Sequence, residues 1–257
     1  MKTVKKKDFK NSFPFYKLIP NIITITALCF GLTAIKNGLN GNWERSLFFL
    51  VVSAFLDGMD GRIARYLNLT STFGANLDSL ADFIDFGIAP ALIIYIWTLA
   101  GSQVKALGWG VVLIFAICGA IRLARFNIGT PLSKSPARKL FFTGVPITIG
   151  AMLAIVPIMI SFEFPSISFV KLPAFNMIYL LAIAFTMASK LPTFSVKYMH
   201  ISKENTKLLL AFIGILIVFL IIKPWITVII LCLLYIISIP ISAIVFYKKI
   251  KKEQRYI

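Results

Sequence analysis

Four aspartates lie within one short stretch of an otherwise apolar chain. The stretch spans residues 57–82 and reads DGMDGRIARYLNLTSTFGANLDSLAD, and its carboxylates belong to Asp57, Asp60, Asp78 and Asp82. A charged side chain among apolar residues costs about 2.5 to 3.5 kcal/mol on insertion scales, so it marks a candidate functional site. Clustered carboxylates suit a hard divalent cation, and Mg²⁺ held in this way usually acts on phosphates.

The spacing within this stretch predicts two helices that turn polar faces toward each other. We expect a helix on each side of a break near residues 68–71, with side chains advancing by about 100° per residue. The residues that share a face on the first helix, within an arc of roughly 100°, are Asp57, Asp60, Gly61 and Ala64. Those that share a face of about 80° on the second helix are Gly74, Asp78 and Asp82.

Two such faces would bring four carboxylates together, and that arrangement requires a compensating cation. Like charges at close distance do not all ionise on their own. Because oxygen ligands favour Mg²⁺ or Mn²⁺, we predict one of these ions as the cofactor. The small residues Gly61, Ala64 and Gly74 leave room for a bulky ligand to approach the helix backbones.

The composition is that of a membrane protein. Of the 257 residues, 58% are hydrophobic, and the mean hydropathy is +0.86. These values predict a polytopic helical protein, and the apolar runs do not alternate with the period of two that a membrane barrel shows. The formal net charge is +17, carried by short basic segments between apolar runs. That pattern fits membrane topology and anionic headgroups, and it argues against nucleic-acid binding.

We predict an all-α transmembrane bundle of about eight spans. The apolar segments of about spanning length are 18–35, 46–66, 72–98, 106–127, 143–161, 174–190, 207–222 and 225–246. They form one transmembrane domain, 18–247, between a basic N-terminal segment, 1–17, and a basic tail, 248–257. The first apolar run continues as a long span without a small-residue cleavage site, so we expect it to be uncleaved.

The positions of lysine and arginine predict which side of the membrane each loop faces. With eight spans the two termini share a side, and most of the 27 basic residues lie on that side. The opposite side holds only Lys36, Arg45, Lys105, Lys171 and Lys223. Basic loops stay in the cytoplasm, so both termini and the turn between the two aspartate helices are expected to be cytoplasmic.

Two arginines and one further acid are additional candidates. Arg122 and Arg125 end an otherwise apolar segment and share a helix face. They are either ordinary topology anchors or a cationic lining for a phosphate or carboxylate, which the planar guanidinium suits. Asp85 continues the face of Asp78 and Asp82 by one turn, and either adds to the polar site or forms a hydrogen bond at its edge.

The acidic stretch resembles a known signature. The spacing Asp-x2-Asp-Gly-x2-Ala-Arg-x8-Gly-x3-Asp-x3-Asp is similar to that of the CDP-alcohol phosphatidyltransferases, integral membrane enzymes that make phospholipids, and every fixed position matches. The resemblance implies metal ligands at Asp57, Asp60, Asp78 and Asp82 and a general base at Asp82. It also implies a homodimer, and contacts to the CDP moiety from Gly61, Ala64, Arg65 and Gly74.

Flanking segments resemble one subgroup of this family, the membrane-spanning, phosphatidylserine-forming enzymes of bacteria. The segments that carry this likeness are 18–32, 78–95, 121–127, 142–147 and 190–197. The resemblance implies the reaction of CDP-diacylglycerol with L-serine to phosphatidylserine and CMP, at the cytoplasmic face of the bacterial inner membrane. Serine has a carboxylate, and Arg122 and Arg125 are the candidate anchors for it. Asp85 departs from the subgroup, in which we expect a neutral residue.

Two alternatives stay open at this point. Another acceptor of the same family, such as glycerol 3-phosphate, inositol or choline, would use the same acidic stretch. A cation transporter would use the aspartates as an ion path, but it predicts acids in several spans or in repeated broken helices. Here the key acids lie in one stretch and no inverted repeat is evident.

Overall fold

The computed structural model describes residues 15–128, 141–194 and 206–253, and their secondary structure is almost entirely helical. The long helices are α1 (Ile19–Leu39), α2 (Trp43–Tyr66), α3 (Thr72–Leu99), α4 (Lys105–Ile128), α5 (Ile147–Glu163), α6 (Pro173–Ala188), α7 (Thr206–Ile222) and α8 (Pro224–Glu253). Short 3₁₀ turns, Phe15–Leu18 and Ser168–Lys171, precede α1 and α6. The predicted all-α class is confirmed. Most of the predicted segment 1–17 and the end of the tail 248–257 lie outside the described residues.

Several helices have the length and apolar character of membrane spans. Within the described residues, four qualify by length and composition: α1 with its preceding turn, α3, α4 and α8. Helices α5, α6 and α7 are apolar but shorter. Large apolar side chains point outward along the bundle, as Phe48 and Ile117 do. An outer surface of this kind is solvated by lipid, so the chain is an integral membrane protein.

Helix α1 packs against α2 through small side chains. The residues that α1 buries beyond its first two turns are Ala27, Gly31, Ala34 and Gly38, which lie on one face. Small residues at such spacing let two helix backbones approach closely in a membrane. Ser46 on α2 adds a 2.7 Å hydrogen bond from its hydroxyl to the carbonyl oxygen of Ala34. This packing fixes α2 at a close distance from α1.

The turn between α2 and α3 lies where the sequence predicts a break. Asn68 has a φ of 53°, a left-handed conformation that asparagine tolerates better than most residues. The hydroxyl of Ser71 then accepts a 3.0 Å hydrogen bond from the amide of Gly74 and caps the start of α3. The chain therefore reverses within a few residues, and the two acidic segments come side by side.

Helix α3 is not regular along its length. It contains π-type turns at Phe83–Ile88 and Tyr95–Leu99, on either side of the short segment Ala89–Ile94. Pro90 has no amide hydrogen to donate, so it disturbs the hydrogen-bond ladder between these turns. Wide turns of this kind re-aim side chains and are frequent at functional sites. Asp85 lies in the first of them.

A small sheet, which the sequence analysis did not predict, joins the segments before α5 and after α6. Strand β1 (Phe141–Thr143) pairs antiparallel with β2 (Pro192–Phe194), with Thr143 opposite Pro192. Gly144 follows β1 with a φ of 79°, and a side chain there would meet the carbonyl oxygens of Met187 and Ser189. This tight turn brings the start of α5 against the end of α6.

The core lies mainly among α2 to α6, and α1 and α8 add buried residues to it. Its largest fully buried side chains include Leu47, Phe86, Phe115, Ile158 and Leu180. Helix α8 is tied to this body by a 2.5 Å hydrogen bond from the hydroxyl of Ser242 to the carbonyl oxygen of Pro192. Helix α7 buries no residue against the described part of the chain. The acidic stretch is therefore supported by the packed helices, while α7 stands outside them.

Candidate active site

Three carboxylates meet between α2 and α3. Asp57 and Asp60 on α2 and Asp78 on α3 each offer an oxygen, and these oxygens lie within 4.8 Å of one another. Asp60 is buried and the other two are half-buried. Carboxylates so close together repel unless a cation lies between them, and oxygen donors at this spacing suit a hard divalent ion. The geometry therefore has the donor set of a metal site.

Asp60 is held in place from both sides. The hydroxyl of Thr24 on α1 lies 2.5 Å from Asp60 Oδ2, and the amide of Gly61 donates a 2.5 Å hydrogen bond to Asp60 Oδ1. Thr24 is buried in the face that α1 turns toward α2. The sequence analysis did not single out Thr24, and its signal is only a polar residue on the buried face of an apolar helix.

Asp82 occupies a separate position beside this cluster. Its carboxyl contacts that of Asp57, which also contacts the hydroxyl of Thr148 on α5. The group of three close carboxylates does not include Asp82. Asp82 Oδ1 is buried and has no hydrogen-bond partner within the described residues. A buried acceptor without a partner is available to a ligand that brings a donor.

A cavity of about 330 Å³ opens beside the acid cluster. Asp60 and Asp78 line it. The residues predicted to contact a CDP group all line it too, and they are Gly61, Ala64, Arg65 and Gly74. A side-chain carbon added at Gly61 would meet only Arg65 Nη2, at 4.0 Å, so the cavity reaches the helix backbone there. The cavity thus combines carboxylates, one arginine and exposed backbone.

A smaller cavity of about 160 Å³ lies on the other side of Asp82. Arg122 and Thr148 line it together with Asp82, and Phe126 lines both cavities. Arg122 is only 7% exposed, and its Nε donates a 3.1 Å hydrogen bond to the carbonyl oxygen of Val145. The other predicted arginine, Arg125, is exposed, donates to the carbonyl oxygen of Ala188 and does not line this cavity.

Asp85 lies apart from both cavities. It is 1% exposed, and its Oδ2 accepts a 2.6 Å hydrogen bond from the hydroxyl of Ser53 on α2. Its Oδ1 has no hydrogen-bond partner within the described residues. A side-chain carbon added at Gly31 would come within 2.0 Å of that oxygen, so the carboxyl fills the space left by the glycine. Asp85 therefore links α3 to α2 and rests on α1.

Comparison with known families gives two matches along the chain. The family described as "CDP-alcohol phosphatidyltransferase" matches residues 17–188, and "CDP-alcohol phosphatidyltransferase 2" matches residues 208–240. The first match includes the acid cluster and every residue that lines the two cavities. The second covers most of α7 and the first half of α8, which carry no part of the described site.

Several curated proteins are similar to this chain, and each is described as "CDP-diacylglycerol--serine O-phosphatidyltransferase". The Bacillus subtilis protein is 34% identical over 186 residues, which cover 72% of this chain and 92% of the relative. The Mycobacterium leprae protein is 29% identical over 227 residues, 88% of this chain and 74% of the relative. The Mycobacterium bovis protein is 41% identical over 137 residues, which cover 53% of this chain and about half, 47%, of the relative's length.

Proposed function

Because the chain belongs to the CDP-alcohol phosphatidyltransferase family, we propose that it transfers the phosphatidyl group of CDP-diacylglycerol to the hydroxyl of L-serine. The products are phosphatidylserine and CMP. The observation that carries this proposal is the position of the acids: Asp57, Asp60 and Asp78 meet between the helices that line the larger cavity. Asp82 faces the smaller cavity beside it. One cavity for each substrate, with acids between them, is what a transfer reaction requires.

Asp57, Asp60 and Asp78 would hold the divalent cofactor, Mg²⁺ or Mn²⁺. Their close oxygens fit such an ion, and Thr24 and Gly61 fix the carboxylate of Asp60. When bound, the metal neutralises the pyrophosphate of the CDP-lipid and stabilises charge on its leaving phosphate. The protein supplies the ligands, their orientation and the buried surroundings that strengthen this interaction. The fourth predicted ligand, Asp82, contacts Asp57 and stands next to this group.

The larger cavity is proposed to receive the CDP group. Gly61, Ala64 and Gly74 present little side-chain bulk along its walls, which lets a nucleotide lie against the backbones of α2 and α3. Arg65 lines the same cavity and offers a planar cation for a phosphate. Phe126 lines both cavities, so the proposed nucleotide side and acceptor side adjoin at this residue.

Asp82 is proposed to act as the general base. Asp82 lines the smaller cavity, from which the acceptor hydroxyl would approach, and its buried Oδ1 has no hydrogen-bond partner within the described residues. Asp82 takes the hydroxyl proton while the serine oxygen forms a bond to the phosphorus that bears the diacylglycerol. The bond from that phosphorus to the CMP oxygen breaks, and CMP leaves with the electron pair. The burial of Asp82 limits the access of water, which would otherwise compete with serine.

We also propose the arrangement in the bacterial inner membrane that the basic residues predict. Eight spans are part of this proposal: the described chain has eight long helices, of which four qualify as spans by length and composition, and α7 and α8 are joined through Lys223 alone. Both termini and the α2–α3 turn would face the cytoplasm, since Arg62, Arg65 and Arg125 lie toward that end. Residues 18–247 would form the transmembrane domain, and the protein would act as a homodimer.

A release assay tests the proposed reaction. The protein, purified in detergent, is given CDP-diacylglycerol and Mn²⁺ or Mg²⁺, and CMP is measured with serine, glycerol 3-phosphate, inositol or choline. We expect release with serine only, loss of release with EDTA, recovery on re-addition of metal, and no release by Asp82→Asn. Release with another acceptor alone would keep the chemistry and contradict the choice of serine. A folded protein that releases no CMP with any acceptor would contradict the transferase assignment and favour the ion-path alternative.

A further inference from the structure

The smaller cavity contains two buried groups of opposite charge that do not pair with each other. Within the described residues no carboxylate oxygen lies within 4.0 Å of the guanidinium of Arg122, which is only 7% exposed. Asp82 lines another wall of the cavity, and its buried Oδ1 has no hydrogen-bond partner within the described residues. The guanidinium keeps one hydrogen bond, to the carbonyl oxygen of Val145, but it has no counter-charge. A buried charge without a counter-charge and a buried acceptor without a donor both cost free energy. Arg122 and Asp82 are therefore both available to bind a ligand in this cavity.

The walls of the cavity limit what that ligand can be. Its volume is about 160 Å³, which suits a molecule of few heavy atoms. Leu123, Pro146 and Ile147 give it apolar sides, so polar groups of a ligand find partners only at particular places. The third polar group on the wall is Thr148, whose hydroxyl also contacts Asp57. A hydroxyl that donates to a carboxylate keeps lone pairs free to accept a hydrogen bond from a ligand cation.

We propose that this cavity is the acceptor chamber and that it selects a small zwitterion that also carries a hydroxyl. The ligand carboxylate pairs with Arg122, its hydroxyl donates to Asp82 Oδ1, and its ammonium donates to Thr148 Oγ1. This inference rests on the transferase activity proposed above and specifies how its acceptor is recognised. It assigns a role to Thr148, and it separates Arg122 from Arg125, whose guanidinium is engaged by Ala188 outside the cavity.

The charge pattern explains why other acceptors would be excluded. Choline has no carboxylate for Arg122, and inositol has neither a carboxylate nor an ammonium group. The two negative charges of glycerol 3-phosphate would lie in a small buried cavity beside Asp82 and Asp57, where like charges repel strongly. A site built around buried polar groups rejects ligands that leave those groups unpaired.

The test compares conservative variants at two walls of the chamber with a distant control. Arg122→Lys keeps the positive charge but removes the fork that grips a carboxylate, and Thr148→Val keeps the shape but removes the hydroxyl. We expect each to raise the KM for serine about tenfold or more, in keeping with the loss of one buried charge-assisted hydrogen bond. The KM for CDP-diacylglycerol should not change, and Thr148→Ser should restore the serine KM. Arg45→Lys, at the opposite end of the bundle, is the matched control.

Two further measurements show whether a raised serine KM comes from the acceptor chamber itself or from a defect in folding or metal binding. Thermal unfolding in detergent shows whether each variant is folded, and the shift in Tm on adding Mn²⁺ without substrates shows whether the acid cluster is intact. Suppose that the natural protein releases CMP with serine but that Arg122→Lys and Thr148→Val both leave the serine KM unchanged. That result would contradict the assignment of the acceptor chamber but not the proposed function. A raised serine KM in Arg125→Lys with none in Arg122→Lys would also contradict that assignment. Absence of serine-dependent release by the natural protein would overturn the proposed function itself.

Discussion

Ser53 on α2 donates a 2.6 Å hydrogen bond to Asp85 on α3, one helical turn further from the α2–α3 turn than the contact between Asp57 and Asp82. Asp60 and Asp78 face each other one turn nearer to it. Polar residues therefore meet at three successive levels along this antiparallel helix pair. Only the two levels nearer to the α2–α3 turn carry the candidate chemistry, so the level of Ser53 and Asp85 is expected to set the register of the other two.

Removal of the Asp85 carboxyl should loosen α2 from α3. Asp85→Leu leaves the hydroxyl of Ser53 without its acceptor, and hydrogen bonds between membrane helices contribute about 1 kcal/mol. We expect a lower Tm in detergent and weaker stabilisation by Mn²⁺, because the aspartates of the two helices lose their alignment. Asp85→Asn still offers an oxygen to Ser53 and should behave nearly like the natural protein. Equal loss in both variants would show that the acid itself, and not the hydrogen bond, is required.

The effects of substitutions at Gly31 and Asp85 on stability should depend on each other. A methyl group at position 31 would come within 2.0 Å of Asp85 Oδ1, so Gly31→Ala forces the carboxyl or the helix to move. Overpacking of this kind costs about 1 to 3 kcal/mol. In the double variant Gly31→Ala/Asp85→Ala the carboxyl is gone and only the tight contact with Cβ of residue 85, at 3.1 Å, remains. We therefore expect the double variant to be nearly as stable as Asp85→Ala alone. A double-mutant cycle from unfolding in detergent measures the coupling, and additive effects would contradict the contact.

Thr24 should control how well the acid cluster binds metal. Thr24→Val keeps the shape of the side chain but removes the hydroxyl that lies 2.5 Å from Asp60 Oδ2. Loss of such an orienting contact typically weakens metal binding by about 10- to 100-fold. We expect the Mn²⁺ concentration for half-maximal Tm shift to rise accordingly, while the KM for serine at saturating metal stays unchanged. Thr24→Ser restores the donor, and failure of that rescue would point to packing and not to the hydroxyl.

Gly61 and Gly58 offer a matched pair on α2 for testing the larger cavity. A methyl group at Gly61 would enter the cavity with only Arg65 Nη2 near it, at 4.0 Å, and a methyl group at Gly58 would meet nothing within 4 Å. Both changes to alanine favour the helix by up to about 1 kcal/mol. We therefore expect both variants to be at least as stable as the natural protein, but only Gly61→Ala to raise the KM for CDP-diacylglycerol. An equal KM for CDP-diacylglycerol in both variants would contradict the placement of the CDP group beside Gly61.

The sequence predicts much of the acidic site because its residues are close along the chain. The break at residues 68–71 and the two acidic faces follow from helix periodicity, and the structure has the turn there. Thr24 and Thr148 could not be found in this way, because they reach the aspartates from α1 and α5, which only tertiary packing brings close. The placement of the residues from Gly61 to Asp78 needed no tertiary information, because they belong to two neighbouring helices and the turn between them.

Local periodicity was also insufficient for the two arginines and for the irregular parts of the fold. Arg122 and Arg125 share a helix face, yet the first is buried against Val145 and the second reaches Ala188. Which carbonyl each one meets depends on how α5 and α6 pack against the end of α4. The strands β1 and β2 have three residues each and depend on the tight turn at Gly144. They are too short for a repeating sequence pattern to predict them.

Helix α7 makes the bilayer a structural component of this protein. It has 17 residues, a length of about 25 Å at 1.5 Å per residue, against a hydrocarbon thickness of about 30 Å. None of its side chains is buried against the described part of the chain, so its apolar surface is solvated by acyl chains. The stability of this helix should therefore depend on the thickness of the surrounding bilayer or detergent layer. Limited proteolysis in a series of detergents of increasing chain length should show α7 as the segment whose protection changes most.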